Sequence, residues 1–301
     1  MRYSIVTPTY NRPDRLTRYL ESLTRLDYPR DEFEAVIVDD GSDAPVEAVA
    51  ESFRGQLELR FLRQNHGGVA KARHRGAYAA RGRYLAFTDD DCQPSPDWLK
   101  AFDRALESHP EAALGGLTEN ELRGNPWSTA SQAIIHFLYE EFDSGRSEAV
   151  FFTGNNCVFP REGYFAVGGL DTTWPMCGED RDLCARWSES GRELVYVPEA
   201  RVGHYHDLDA ERFWRQHFNY GRGARRFRAA RASRGAQETG LERLGFYWRL
   251  LGSGWKYRQS QPGWLIALLI GYAQAANTMG YLEEMVSPLK DAPRWTVELL
   301  K

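Results

Sequence analysis

Only four cysteines stand in the 301 residues, Cys92, Cys157, Cys177 and Cys184, and no two of them form a C-x-x-C pair. That excludes a disulfide framework and a regularly spaced thiolate zinc site, and a reduced, cytoplasmic setting is expected. The first residues lack the long apolar stretch of a signal peptide, which leads to the same expectation. An excess of positive charge is missing too. With 38 basic and 42 acidic side chains the formal balance is −4, which argues against a nucleic-acid binder held by an overall positive field. No strongly apolar run reaches the ~20 residues of a bilayer crossing. Residues 264–281 carry no formal charge, but Gln274, Asn277 and Thr278 interrupt them and the strongly apolar part, 265–273, spans nine residues. Internal repeats and low-complexity linkers are absent. What remains, 42% hydrophobic and 27% charged, is the composition of a soluble globular enzyme of one large or two modest domains.

The first half alternates short β-branched runs with helical patterns, the rhythm of an α/β fold whose mostly parallel sheet is wrapped by helices. Strands are expected at 4–7, 34–38, 57–62 and 84–88. Between the first two, Leu16, Leu20 and Leu23 recur at helical spacing behind Asn11, a candidate cap, and Pro13, a favoured first-turn residue. Each strand runs into a loop rich in polar residues: T-P-T-Y-N-R-P, D-D-G-S-D, N-H-G-G-V-A-K-A-R and D-D-D-C. Open sheets bind ligands beyond the carboxyl ends of their strands, so four such loops converging on one edge mark a candidate site. Further on, 153–159 reads as a strand and 181–190 as a helix carrying Leu183 and Trp187. From about residue 210 the sequence becomes aromatic, Arg-rich and helical.

Asp89, Asp90 and Asp91 lie where a strand stops. Adjacent carboxylates repel, and a hard divalent cation such as Mg²⁺ or Mn²⁺, which joins carboxylates to substrate phosphates, relieves them; an exposed acidic turn is the plainer alternative. Asp39 and Asp40 end another strand, and D-D-G-S is equally a tight turn. The loop from Asn65 to Arg73 brings two glycines, Lys71 and Arg73 to a helix start, which suits a diphosphate, although it lacks the P-loop signature. Glu179, Asp180 and Asp182 open a helix, where acids also complement the helix dipole. His204 and His206 share one face if their segment is extended. Cys92 and Cys157 read as small packing residues.

Together these pieces resemble glycosyltransferase family two, with its GT-A nucleotide-sugar fold. P-T-Y-N-R at Pro8, V-D-D-G-S at Val38, N-x-G-x-x-x-A-R at Asn65, G-x-Y-L-A-F-T-D-D-D at Gly82 and G-E-D-R-D-L at Gly178 occur in the family's order over about the first 210 residues. The resemblance implies a GT-A catalytic domain over 1–209, with a nucleotide-binding half to about 117 and an acceptor half from 118, followed by a helical appendage over 210–301. It implies that Pro8, Tyr10 and Asp40 hold the base and Asp89 meets the ribose, with Thr9, Arg12, Asn65, Gly68, Arg73 and Asp90 completing the nucleotide set. Asp91 would bind Mn²⁺ or Mg²⁺, joined by His204, and Asp180 would be the general base of inverting transfer from a nucleoside diphosphate sugar, UDP-linked by preference, to a hydroxyl acceptor. The processive members' Q-x-x-R-W motif is absent in its expected form, so transfer of a single sugar is expected. A nucleotidyltransferase would place a G-G-x-G-x-R-like loop after the first strand, which T-P-T-Y-N-R-P is not. A binding protein without turnover is the third reading, and the presence of Asp91 and Asp180 speaks against it.

Donor and acceptor identity would rest on variable loops such as 120–131. Between Arg222 and Arg234 six arginines occur with no acidic residue. They form either a patch for an anionic lipid-linked acceptor or phospholipid headgroups, or a helix face with its charges paired elsewhere. Trp255 to Trp264 suits an interfacial helix on the inner face of a membrane; docking on the protein's own core is the alternative.

Overall fold

A computed structural model describes residues 1–143, 151–174, 177–235 and 243–286. They gather into two units, one of residues 1–122, 138–172 and 179–207, the other of 123–137, 173–178 and 208 onward. The boundary expected at 209/210 falls at 207/208, and the second unit also takes two earlier segments. Of the helical appendage expected over 210–301, residues 236–242 and 287–301 lie outside the described residues.

The first unit runs β1 (Tyr3–Thr9), α1 (Pro13–Thr24), β2 (Phe33–Asp39), α2 (Val46–Glu51), β3 (Leu59–Arg63), α3 (Val69–Ala79), β4 (Tyr84–Thr88), β5 (Cys92–Pro94), α4 (Trp98–Ser108) and β6 (Ala113–Asn120). After α5 (Pro126–Asp143) it continues with β7 (Asn156–Pro160), α6 (Arg161–Ala166), α7 (Glu179–Glu189) and β8 (Leu194–His204). These strands make one eight-stranded sheet in the order β3-β2-β1-β4-β7-β6-β8-β5. β3, β2, β1 and β4 are parallel, as the sequence rhythm requires, whereas β7 and β5 run against their neighbours and make the sheet mixed. Every residue of β1, β2 and β4 is buried, the pattern of central strands covered on both faces. α1 lays Leu16, Tyr19, Leu20 and Leu23 on that core, one stripe at helical spacing.

Two local expectations fail for physical reasons. Asn11 does not cap α1: Arg12 holds the cap position, and Asn11 adopts φ +55° while its side-chain oxygen accepts from the backbone N–H groups of Asp43 and Ala44. Asparagine tolerates that left-handed conformation better than most residues, so it ties two loops rather than a helix end. The segment 120–131 is not one loop, because β6 reaches Asn120 and α5 begins at Pro126.

The second unit contains α8 (Ala210–Ser233), α9 (Leu244–Ser253) and α10 (Gly263–Val286). α8 and α10 pack closely at glycines. A Cβ on Gly280 would come 1.9 Å from the carbonyl oxygen of Phe218, and one on Gly221 would come 1.8 Å from that of Asn277. Arg222 and Arg226 both donate to Glu284, which is buried. At least two of the six arginines are therefore paired with an acid. α10 is 24 residues long, long and apolar enough by length and composition to cross a membrane, although its strongly apolar stretch is short.

Candidate active site

The carboxyl ends of β1, β2 and β4 lie at one edge because the three strands are parallel and in register. Thr9 closes β1 and donates through Oγ1 to Asp90 Oδ2 at 2.8 Å, so the loops after the first and fourth of the polar-loop strands are bonded at this edge. Pro8 is buried within β1, and Tyr10 just beyond it is exposed, with its ring stacked 4.4 Å from that of His66. Asp40 is buried beneath that pair. Its carboxylate accepts from the backbone N–H groups of Gly67 and Gly68 at 2.9 and 2.8 Å, from Gln64 at 2.7 Å, and lies 2.9 Å from His66 Nδ1. Asp40 thus shapes the β3–α3 loop, on which Asn65 is exposed, and brings an aromatic platform to the strand ends.

The three aspartates after β4 diverge. Asp90 is buried between Thr9 and Arg12, which reaches it at 3.2 Å, and burial with the neighbouring charge of Asp91 pushes its carboxyl up to about 6. Asp91 turns the other way, towards Arg15 at 2.9 Å, Arg12 at 3.5 Å and His204 Nε2 at 3.5 Å. Burial alone would raise Asp91, but the hydrogen bond and charge of His204, with Arg12, outweigh it and hold the carboxyl well below the usual range. The backbone fixes this contact, since Tyr205 N donates to Asp91 O at 2.8 Å and Cys92 pairs with His204 between β5 and β8. His206 stacks on His204 with ring centres 4.9 Å apart.

Asp89 faces Arg73. The Arg73 guanidinium, 5% exposed, donates to Asp89 Oδ1 at 2.6 Å and lies 3.3 Å from Glu179 Oε1 at the start of α7. Arg73 is therefore not a helix-start cation open to a diphosphate; α3 buries it on the sheet side, where it joins the acidic turn after β4 to the acids that open α7. Asp180, beside Glu179, accepts from Arg181 N at 2.7 Å and Gly154 N at 3.3 Å. A Cβ on Gly154, in the turn before β7, would lie 2.6 Å from Arg73 Nη1, so a larger residue there would press on the buried guanidinium. Arg73 and Asp180 also line a small cavity walled by Phe87, Phe152, Phe159 and Leu183. Burial raises Asp180 above the ordinary aspartate value, against the opposing charge of Arg73. Burial and the charge of Asp180 push Glu179 up to about 7.

The donor set suits a hard divalent ion. Adjacent ligands of an octahedral ion at ~2.1 Å stand about 3 Å apart, close to the 3.5 Å between Asp91 Oδ1 and His204 Nε2. Cys92 Sγ is near both, yet burial raises its thiol well above its usual value and keeps the proton on it. A protonated thiol is no ligand for Mn²⁺ or Mg²⁺, so the set reduces to one carboxylate and one imidazole, with places left for phosphate oxygens and water.

Residues 4–166 match glycosyl transferase family 2. The chain belongs to that family. It is 29% identical over 227 residues to the glucosyl-dolichyl phosphate glucuronosyltransferase of Haloferax volcanii, covering 68% of this chain and 69% of that protein. With the pre-mycofactocin glycosyltransferase of Mycobacterium tuberculosis the identity is 33% over 221 residues, 67% of this chain and 42% of that one. The poly(ribitol-phosphate) beta-N-acetylglucosaminyltransferase TarS of Staphylococcus aureus is 34% identical over 116 residues, 38% of this chain and only 20% of TarS. The fold is shared with GT-A glycosyltransferases of known structure. The mannosyltransferase PcManGT of Pyrobaculum calidifontis, in complex with GDP-Man and Mn²⁺, superposes with a TM-score of 0.61 at 19% identity, covering 91% of this chain and 73% of that one. S. aureus TarS 1–349 in complex with UDP-GlcNAc gives 0.57 at 19% identity, covering 93% and 89%.

Four site-lining residues were given no role by the family motifs. Arg15 stands three residues after Arg12 on the same face of the chain, a spacing that could have flagged it. His66 lies inside the N-H-G-G loop beside Asn65. Glu179 is half of the E-D pair. Gly154 carries no signal in the sequence, because its role is the space it leaves.

Proposed function

We propose that this family 2 chain is a metal-dependent, inverting glycosyltransferase that moves one sugar from a nucleoside diphosphate sugar to a hydroxyl acceptor. The observation that carries the reading is the Arg73 hub, which ties the acidic turn of Asp89–Asp91 to the Glu179–Asp180 pair within one unit. The relatives' names, all sugar transferases, support the reaction class. The TarS complexes with UDP-GlcNAc and UDP support a UDP-sugar donor, and the glucuronosyltransferase's name supports a lipid-linked acceptor, with a glycan or small molecule as the other choices. A cytoplasmic location belongs to the same proposal.

In this reading Tyr10 and His66 offer a stacking face to the base, while Pro8, Thr9, Asn65 and Gly68 line the edge around it. Asp89 accepts from a ribose hydroxyl while Arg73 fixes its orientation. Arg12 and Arg15, paired with Asp90 and Asp91, place positive charge beside the leaving diphosphate. Asp91 and His204 would hold the divalent ion, which when bound supplies Lewis-acid stabilisation of that diphosphate. Asp180 accepts the acceptor's proton. At neutral pH Glu179 retains its own proton in part, so the charge of the pair rests on Asp180. Even raised by burial, the Asp180 carboxylate is a weak base toward an alcohol, and proton transfer is therefore late and concerted with attack. A single direct displacement of this kind inverts the anomeric centre.

Two variants test the reading. Asp91→Ala is expected to abolish Mn²⁺-dependent UDP binding in titration calorimetry, and unchanged affinity refutes the assignment. Asp180→Asn is expected to bind donor normally and to transfer ~10²–10⁴-fold more slowly. Near-normal turnover removes Asp180 from the mechanism.

A further inference from the structure

Among the described residues, the second unit leaves a broad apolar face uncovered. Along α10, Trp264, Leu268, Tyr272, Met279, Leu282 and Val286 are exposed at three-, four- and seven-residue spacings, which places them on one side of the helix. Leu268 is 63% exposed. The opposite side of α10 buries Ile266, Ile270, Ala273 and Gly280. On α9, Leu244 and Trp248 are 80% and 74% exposed, four residues apart, and Trp255 in the following turn is exposed as well. Contiguous apolar surface of this kind marks a partner.

Charge selects the partner. Residues 212–282 hold twelve lysines and arginines against two acids, Glu238 and Glu242. Of the two acids that follow, Glu284 is buried against Arg222 and Arg226. Arg225 and Arg258 have no carboxylate partner among the described residues. A second copy would meet this positive surface with its own, so self-association is opposed by repulsion. An anionic lipid surface satisfies both features: acyl chains take the tryptophans and leucines, and headgroup phosphates answer the arginines. The exposed aromatics are the residues that favour the interfacial zone. Crossing the bilayer is disfavoured, because α8, packed along α10, would carry its arginines into hydrocarbon.

We propose that the second unit is a monotopic membrane anchor in which α10 lies in the plane of an anionic bilayer, its exposed stripe sunk into the headgroup boundary. The proposal goes beyond the catalytic reading and is tested without donor or acceptor. Full-length protein is mixed with vesicles of phosphatidylcholine alone or with phosphatidylglycerol, and binding is read by co-sedimentation and by tryptophan fluorescence. Binding to the anionic vesicles is expected, with a blue shift, and at least about tenfold weaker binding to phosphatidylcholine alone or at ~0.5 M salt. Leu268→Gln with Leu282→Gln, both at exposed positions, is expected to weaken binding at least about tenfold with an unchanged circular dichroism melting curve. Arg225→Gln with Arg258→Gln is expected to weaken anionic binding alone. Three results overturn the proposal: no binding to anionic vesicles at low salt, retention of bound protein through an alkaline carbonate wash, or a lipid-free dimer that the leucine variant converts to monomer.

Discussion

At the residue scale the site turns on a pair of neighbouring acids that share one arginine. Two carboxyls in one poorly solvated place titrate as a pair, and the second proton leaves only near pH 7, from Glu179. Asp180 becomes a stronger base once Glu179 is ionised, so the wild-type rate is expected to rise with pH twice, the later rise near 7. Glu179→Gln is expected to erase that later step and leave the lower limb, as a kcat/KM profile would record; an unaltered profile removes the coupling. Stability runs the opposite way. Glu179 binds its proton more tightly in the folded chain than at its ordinary value of 4.5, so its contribution is complete below about 4.5 and is lost as pH rises through about 7. The wild type is thus expected to lose melting temperature relative to Glu179→Gln between pH 5 and 7.5, measured by calorimetry. Gly154→Ala adds a steric probe of the same hub. Its methyl must displace Arg73 or shift the turn whose Gly154 N–H donates to Asp180, and at least a tenfold fall in kcat is expected, with little change in UDP affinity. The acids of this site were legible because chemistry leaves carboxylates clustered at strand ends. The burial of Arg73 was not, since a basic residue in the first turns of α3 reads as an anion ligand until the packing of α3 on the sheet is known.

At the element scale the loops do what the strands permit. The four parallel strands were readable from their apolar runs, and the strand-end loops from their polar residues. β5 has three residues and β6 carries two adjacent glycines, so neither yields a periodic signal. The pattern of β8 is broken by Pro198, and its pairing with β6 shifts register after Gly116. The β3–α3 loop shows an element held by a single side chain. Asp40 accepts two backbone N–H bonds and a bond from Gln64 while buried, and charge-assisted bonds of this kind contribute ~1.5–3 kcal/mol when one partner is removed. Asp40→Ala is expected to destabilise the first unit by about that amount. Faster amide exchange at Gly67 and Gly68 should accompany it, because their acceptor is gone. Protection left unchanged at both amides would show that the loop is held by something else.

At the scale of the whole molecule, the formal charge of −4 conceals a chain of two characters. The strand ends of the first unit concentrate aspartates, while residues 212–282 hold twelve lysines and arginines against two glutamates. Sequence made the arginine run visible but not its chemistry, because the acid that pairs with two of those arginines lies about 60 residues downstream, on α10. Glu284 is therefore the residue on which the second unit's charge balance turns. It is 2% exposed and accepts from Arg222 at 2.7 Å and Arg226 at 2.6 Å, across the same helix pair that closes at Gly221 and Gly280. Glu284→Gln removes the negative charge and leaves two guanidinium groups facing a neutral amide in a closely packed groove. The expected cost is ~1.5–3 kcal/mol, seen as a lower melting temperature for the transition that involves α8 and α10. The neighbouring Glu283 is exposed, so Glu283→Gln is the control and is expected to melt like the wild type. Equal melting of both variants would mean that helix packing at the glycines, rather than the ion pair, holds the second unit together.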